Sequence, residues 1–186
     1  MQAIETIKKG DLTLKLYQDE DAQSPRENDN LGTIVYWHRR YTLGEEDGQK
    51  VYGSPNDFLK HGKEHGLIML PVALLDHSGL RMWIGSKASV CDPGGWDSGQ
   101  VGWIYVTPEK VREEYSCKRI TKGVRETVLK NLQYEIEAMD QFLSGDVYGF
   151  VIEDKQGEHV DSCWGFFGLD YAISEAKDAL NACAAE

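Results

Sequence analysis

The 186-residue chain lacks a long apolar segment and a secretory leader pattern. Its longest apolar run, residues 67–75, is interrupted by Pro71, whereas a membrane-spanning helix needs about 20 apolar residues. The first residues show no basic region followed by an apolar stretch, which disfavours a signal peptide. We therefore expect a cytoplasmic protein without direct membrane contact.

Cysteine pairs of the CxxC type are also missing. The four cysteines are widely spaced along the chain. This spacing argues against a zinc knuckle and against a dense disulfide framework. Reduced thiols in a cytoplasmic protein are the simplest interpretation. The four are Cys91, Cys117, Cys163 and Cys183.

The chain has no net positive charge, with 20 Lys and Arg against 31 Asp and Glu, and it lacks phosphate-binding signatures. The formal net charge is −11 and the pI is near 4.9, which disfavours free nucleic acid as a ligand because phosphate binding needs clustered Lys and Arg. The chain contains no GxxxxGK[ST] motif and no GxGxxG motif after a strand. We expect no cofactor.

The charge that is present is unevenly distributed. Residues 110–130 carry seven basic and three acidic side chains, whereas residues 131–161 carry eight acidic side chains and only Lys155 as a base. Such a run is typical of a solvated surface that keeps a protein in solution. The alternative interpretation is an acidic surface that steers a basic partner. The sequence leaves both interpretations open.

Hydrophobic periodicity indicates an α+β fold. Apolar residues recur every three or four positions over residues 124–143, which predicts one long helix with a single buried stripe. Shorter helices are predicted after Ser54-Pro55, after Pro108 and over 170–184. Alternating or β-branched segments predict strands in an antiparallel or mixed sheet, with Pro71 at an edge, a bulge or a break. The regular βαβ alternation of a parallel sheet is missing, so we predict one α+β domain over 1–186. The predicted strands cover residues 12–17, 33–38, 67–75, 80–84, 101–106, 147–152 and 160–167.

Polar clusters built from Asp, Ser and Gly lie beside several predicted strands. They occupy residues 76–79, 96–102 and 161–165. Asp and Ser before Gly form hydrogen-bonded turns on their own, so turn chemistry explains the clusters without a site. Together, however, Asp76, His77, Asp97 and Ser98 include the residue types of a catalytic triad. Ser98 lacks the GxSxG elbow. The alternative function, a metal-dependent hydrolase, would require these side chains to converge in space.

Two other ligand classes stay open. Asp19, Asp21, Glu27 and Asp29 supply oxygen atoms of the kind that hard cations prefer, although the loop lacks the Gly and Glu spacing of an EF-hand. A small-ligand module that binds a nucleotide signal is the other alternative. It would use the same Asp76, His77 and Asp97, with Arg39, Arg40 and Trp96 as natural contacts.

Five segments together resemble a family encoded by bacteriophages, plasmids and integrated mobile elements, most of whose members have no assigned function. The resemblance extends roughly from Asp19 to Gly168 and transfers no catalytic residue. It implies a bacterial host cell, where small acidic proteins of mobile elements often block defence systems, including restriction enzymes and CRISPR effectors. The segments are residues 24–33, 37–41, 76–79, 96–102 and 145–150.

The leading hypothesis is therefore a non-enzymatic accessory protein that inhibits a nucleic-acid-targeting defence complex, such as a CRISPR nuclease. The expected partner is a host protein with a basic nucleic-acid-binding groove, which an acidic surface can occupy in place of DNA. Trp96, in a glycine-rich loop beside Asp97, is a natural interface anchor. The partner-binding residues predicted with it are Glu135, Glu137, Asp140, Asp146, Glu153 and Asp154.

Overall fold

The computed structural model describes residues 2–185, and its helices and strands confirm the predicted α+β class. In chain order the strands are β1 (Glu5–Lys9), β2 (Leu12–Gln18), β3 (Thr33–Tyr36), β4 (Glu46–Asp47), β5 (Ile68–Asp76), β6 (Leu80–Ile84), β7 (Ser98–Val106), β8 (Val147–Glu153) and β9 (His159–Phe167). The helices are α1 (Gly48–Val51), α2 (Pro55–His65), α3 (Pro108–Glu114), α4 (Lys122–Ser144) and α5 (Leu169–Cys183), and a 3-10 turn spans Pro25–Glu27.

The chain forms two compact units. Unit 1 comprises Met1–Ser24 and Gln141–Glu186, and unit 2 comprises Pro25–Asp140. The chain passes from the first unit to the second after Ser24 and returns within α4. The expectation of one domain over the whole chain stays a prediction.

Unit 1 is a four-stranded antiparallel sheet with α5 on one face. The strand order is β1-β2-β8-β9. Along β2 every second residue is buried, and Leu14 and Leu16 face Phe150 and Ile152 across the β2–β8 pair. The residues of α5 that pack against them are Ala172, Ala176 and Leu180. The small alanines let the helix approach closely, and truncating a buried leucine such as Leu16 costs about 2–5 kcal/mol.

Unit 2 contains a five-stranded mixed sheet in the order β4-β3-β7-β5-β6. All pairs are antiparallel except β3 with β4. Pro71 lies in β5 where β6 has not yet begun to pair, since the β5–β6 register starts at Val72. The β5–β7 register shifts between Val72 and Ala73. Pro71 therefore lies where the β5–β6 pairing ends, and its carbonyl accepts from the N–H of Gly85 at 2.8 Å. The adjacent register shift agrees with the bulge predicted near this residue, because proline has no N–H to donate to a neighbouring strand.

Helices cover both faces of this sheet. The buried stripe of α4 includes Leu132, which lies so close to Gly32 and Ile104 that a Cβ atom at Gly32 would approach its Cδ2 to 2.6 Å. On the other face, Phe58 of α2 is buried in a cluster with Val35 and Tyr105. The predicted start of α2 is confirmed: the Ser54 side chain accepts from Asp57 N, and Pro55 is the first helical residue.

Three short elements escaped prediction. β1 is mostly charged and has only one neighbouring strand, so it carries no clear alternation. The segment 44–48 contains β4 and the start of α1, which Asp47 caps by accepting from Gln49 N at 3.1 Å. β4 consists of two residues and exists because β3 lies beside it. Over residues 2–185, the helices are all too short or too polar to cross a membrane.

Candidate functional site

The end of β5 and the start of β7 bring three of the predicted site residues together. Leu75 pairs with Ser98 across the two strands, so the residues that follow and precede them meet. The N–H of Asp76 donates to the carbonyl of Asp97 at 2.8 Å. His77 Nδ1 lies 3.0 Å from Asp97 Oδ2. The convergence that a catalytic or ligand-binding site would require is present for this pair.

A second pair of side chains holds Asp76. Arg40 Nη1 lies 3.0 Å from Asp76 Oδ2, and the Tyr41 hydroxyl donates to Asp76 Oδ1 at 3.4 Å. The guanidinium of Arg40 also lies 5.1 Å from the centre of the Tyr41 ring. The imidazole ring of His38 also stacks on the Tyr41 ring, with the two ring centroids 5.2 Å apart. Each charged group here has an intramolecular partner, which favours a bracing role for the cluster.

Ser98 does not face His77 as a nucleophile would. Its hydroxyl donates to Asp92 Oδ2 at 2.8 Å and accepts from the N–H of Ser89 at 2.9 Å. Asp92 further accepts from the N–H groups of Trp96 and Asp97. These hydrogen bonds hold the pKa of Asp92 below its ordinary range, and the bond from the N–H of Asp97 has the largest effect. Ser98 and Asp92 thus organise the loop that precedes β7.

The His77–Asp97 pair is open to water. The side chains of His77 and Asp97 are 68% and 48% exposed, so solvent screens their attraction. Within residues 2–185, no set of three or more His, Cys, Asp or Glu side chains is arranged to hold a metal ion. The arrangement can orient an imidazole, but it neither encloses a substrate nor supplies a nucleophile at Ser98.

The predicted oxygen ligands fall in different units. Asp19 and Asp21 share a turn in unit 1, where Asp19 accepts from the N–H of Asp21 at 3.2 Å. Glu27 and Asp29 belong to unit 2. Asp29 lines a shallow recess there. The other residues of that recess are Lys110, Glu113 and Glu114.

Two of the carboxylates predicted to bind a partner are engaged inside unit 2. Glu135 is 14% exposed, and its Oε2 lies 2.8 Å from Nη1 of Arg26, which is 7% exposed. Oε1 of Glu135 accepts from the N–H groups of Leu31 and Gly32 at 2.8 and 3.1 Å. Asp140 accepts from Nε and Nη2 of Arg81 and from the N–H of Met82. Both carboxylates anchor α4 to the polypeptide around it.

The four remaining predicted partner-binding acids also have local contacts. Glu153 pairs with Lys15 at 2.6 Å, and this hydrogen bond raises the pKa of Lys15. Asp154 accepts from two N–H groups of its own turn. Glu137 is exposed on α4 and accepts from Gln133. Asp146, together with burial, raises the pKa of Tyr148, and burial is the larger cause.

Negative charge is concentrated in unit 1. Unit 1 carries 14 acidic and five basic side chains, whereas unit 2 carries 17 acidic and 15 basic ones. The formal net charges are therefore −9 and −2. Even if every Lys of unit 1 formed an ion pair within it, nine carboxylates of that unit would keep no basic partner there.

Trp96 is 91% exposed, as its glycine-rich loop suggested. Val90, in the same loop, is 92% exposed. Asp92 fixes the loop between them through its bonds to backbone N–H groups. The loop therefore presents two large apolar side chains to solvent, which suits an interface anchor.

Two groupings were missed by sequence reasoning. In unit 2, Glu46 accepts from the hydroxyls of Tyr52 and Tyr105, and burial raises the pKa of both phenols, so both stay protonated donors. In unit 1, Tyr17 and Trp164 are nearly parallel and line a recess on the sheet. The one sequence signal for the latter is Gly165 within a strand-like segment, which is typical of a bulge.

Comparison of the chain with protein-family models, with curated proteins and with solved structures finds no match.

Proposed function

We propose that this chain is a non-enzymatic binding protein whose acidic unit 1 engages a basic protein surface of the kind that holds nucleic acid. The observation that carries the proposal is the charge of −9 on unit 1 against −2 on unit 2. A surface of one sign attracts the opposite sign over several ångströms and speeds association. An acidic protein can thereby compete with DNA or RNA for a basic groove.

The wider biological role in this proposal is inhibition of a host nucleic-acid-targeting defence complex, such as a CRISPR nuclease. It comes from the sequence resemblance to mobile-element proteins combined with the charge of unit 1. The binding surface in this proposal excludes some of the acidic residues that the sequence analysis predicted to bind the partner. Glu135 and Asp140 are committed to Arg26 and Arg81, so the exposed carboxylates of unit 1 are the better candidates.

A competition experiment tests this function. A purified CRISPR effector nuclease with its guide RNA is mixed with the protein, and displacement of labelled target DNA is measured at several salt concentrations. We expect displacement that weakens as salt rises, because surface charges are screened. Absence of any affinity for basic nucleic-acid-binding proteins at low salt would contradict the proposal.

Matched charge reversals locate the surface. The triple variant Glu20→Lys, Glu158→Lys, Asp178→Lys changes three exposed acids of unit 1. Its control changes three exposed acids of unit 2, which are Glu64, Glu113 and Glu137. Both variants shift the net charge equally, so a tenfold or larger loss of binding in the unit 1 variant alone supports the proposal. Equal losses would show that only total charge matters.

The second candidate is an enzyme or nucleotide-binding protein centred on His77. The specific observation in its favour is the 3.0 Å contact between His77 Nδ1 and Asp97 Oδ2, with Asp76 adjacent. A carboxylate that orients imidazole is half of a general-base arrangement. Hydrolysis of p-nitrophenyl phosphate or acetate that disappears in His77→Ala would support the enzyme. Binding of labelled cyclic nucleotides that Arg40→Ala abolishes would support the nucleotide module.

A further inference from the structure

A bulge in β9 places Trp164 on the face of the unit 1 sheet opposite α5. Phe150 pairs with Cys163 and Tyr148 with Phe166, so two residues of β9 oppose Gly149 alone. Gly165, the second of these, has φ +83°, which glycine adopts without strain. Extra residues of this kind re-aim a side chain. Trp164 consequently lies against Gly149 and is 41% exposed.

The chain around Trp164 is shaped to receive the indole ring. A Cβ atom at position 149 would overlap Cε3 and Cδ2 of Trp164, so only glycine leaves room. Tyr17, which pairs with Gly149 across β2 and β8, lies with its ring 22° from parallel to the indole and 6.2 Å from it. Leu16, next to Tyr17, points to the α5 core. The two aromatic rings thus form a platform on the open face.

A carboxylate borders this platform. Tyr17, Val151, Glu153 and Trp164 line a recess of about 320 Å³. Glu153 lies 2.6 Å from Lys15, and both side chains remain partly exposed. The recess therefore combines aromatic faces, one apolar side chain and a carboxylate, which are the groups that receive a cationic side chain.

Both nucleobases and cationic side chains stack on aromatic rings, and the net charge of unit 1 favours the cationic side chains. Nucleobases are held where a basic groove binds the backbone beside the stacking residues, but unit 1 has a net charge of −9. A guanidinium or ammonium group meets attraction from the unit as a whole and from the ring quadrupoles as well. Arginine is favoured over lysine because its planar group stacks on an aromatic face.

We propose that the Tyr17–Trp164 platform, with Val151 and Glu153, is the docking site for an arginine side chain of a basic partner protein. This inference rests on the proposed function and names the contact that charge alone does not provide. The indole face holds the guanidinium by a cation–π contact. Glu153, which also pairs with Lys15, lines the same recess and is partly exposed, so it contributes less than the ring.

The test uses a fluorescein-labelled nona-arginine peptide and fluorescence anisotropy. Trp164→Ala removes the platform without changing the net charge, and Trp164→Leu keeps an apolar side chain without a ring. Tyr134→Ala removes an exposed aromatic side chain from unit 2 and serves as control. We expect the Trp164 variants to bind about three- to thirtyfold more weakly and the control to bind unchanged. A nona-citrulline peptide, which is neutral and similar in shape, should not bind.

The outcomes separate the platform from the proposed function. If nona-arginine binds the wild type and both folded Trp164 variants equally, the platform assignment is overturned while the acidic unit keeps its role. If the wild type binds neither the peptide nor basic proteins, both proposals fall. A change in tryptophan fluorescence with neutral maltohexaose and none with nona-arginine would instead identify a carbohydrate platform. Should Trp164→Ala fail to fold, Trp164→Leu and Tyr17→Leu carry the comparison.

Discussion

The two units use their carboxylates differently. In unit 2 the acids and bases nearly balance, and Glu135, Asp140 and Asp76 each contact an arginine. In unit 1 acids outnumber bases by 14 to five. Paired carboxylates hold a fold together, whereas unpaired ones of like sign repel each other and destabilise it. The excess in unit 1 is the feature on which the proposed contact with a basic partner rests.

The largest expected effect is on the internal carboxylate of unit 2. Glu135→Ala removes the more buried of the two carboxylates that pair with the 7% exposed Arg26, the other being Glu45. It also removes the acceptor for two backbone N–H groups. We expect a loss of about 3 kcal/mol in the free energy of unfolding, because Arg26 keeps only the more exposed Glu45 and two backbone N–H groups lose their acceptor. Urea unfolding followed by circular dichroism measures it.

Glu137→Ala is the matched control, since Glu137 lies on the same helix but is exposed. Its effect should stay within about 0.5 kcal/mol. Equal stability of the two variants would show that Glu135 is a surface carboxylate after all, and the contrast between the units would weaken.

An intermediate effect is expected at Gly149. Gly149→Ala introduces a Cβ atom that overlaps the Trp164 ring and the carbonyl of Cys163. We expect a loss of about 1–3 kcal/mol, typical of overpacking, together with a red shift of tryptophan emission as the indole is displaced. Gly99→Ala is the control, because a Cβ atom there meets nothing within 4 Å. A Gly149 variant as stable as the control would argue against a rigid platform.

The smallest effect is local and depends on pH. Asp92 binds the loop before β7 as a carboxylate, with its pKa held below the ordinary range by backbone N–H donors. Because the folded-state pKa is lowered, this contribution is present above the ordinary carboxyl range and is lost as pH falls through the folded pKa. We expect the Trp96 and Asp97 amides to gain mobility in ¹⁵N relaxation at that pH.

Asp92→Ala should reproduce that mobility at neutral pH without lowering the stability of the rest of unit 2. Asp178→Ala, in unit 1, is the reference variant. If the Asp92 variant kept the loop amides as rigid as in the wild type, the carboxylate would not be what orders the loop.

Much of the architecture could be predicted because it is local. The buried apolar stripe of α4 follows from the spacing of its residues. The start of α2 follows from the capping preference of Ser54 and from Pro55 at the first helical position. The clusters at Asp76 and Asp97 were recognisable as turns. The contact between these two turns could not be predicted, because it depends on the β5–β7 register, which pairs Leu75 with Ser98.

The acidic surface shows most clearly what could not be predicted from the sequence. Glu135 and Glu137 look alike in sequence, but the helical phase turns one toward Arg26 and leaves the other exposed. A contiguous count from 131 to 161 also mixes residues of both units. Charge along the chain becomes charge on a surface only after the chain has folded.

The sequence by itself determined the α+β class, the main strands and helices, the net negative charge and the absence of CxxC or phosphate-loop motifs. These follow from composition and short-range spacing, which act within a few residues. Only the tertiary structure decided which carboxylates are paired, which unit carries the excess charge, and that Tyr17 meets Trp164 over Gly149. Those contacts join segments far apart in the chain, through strand pairing that no local pattern encodes.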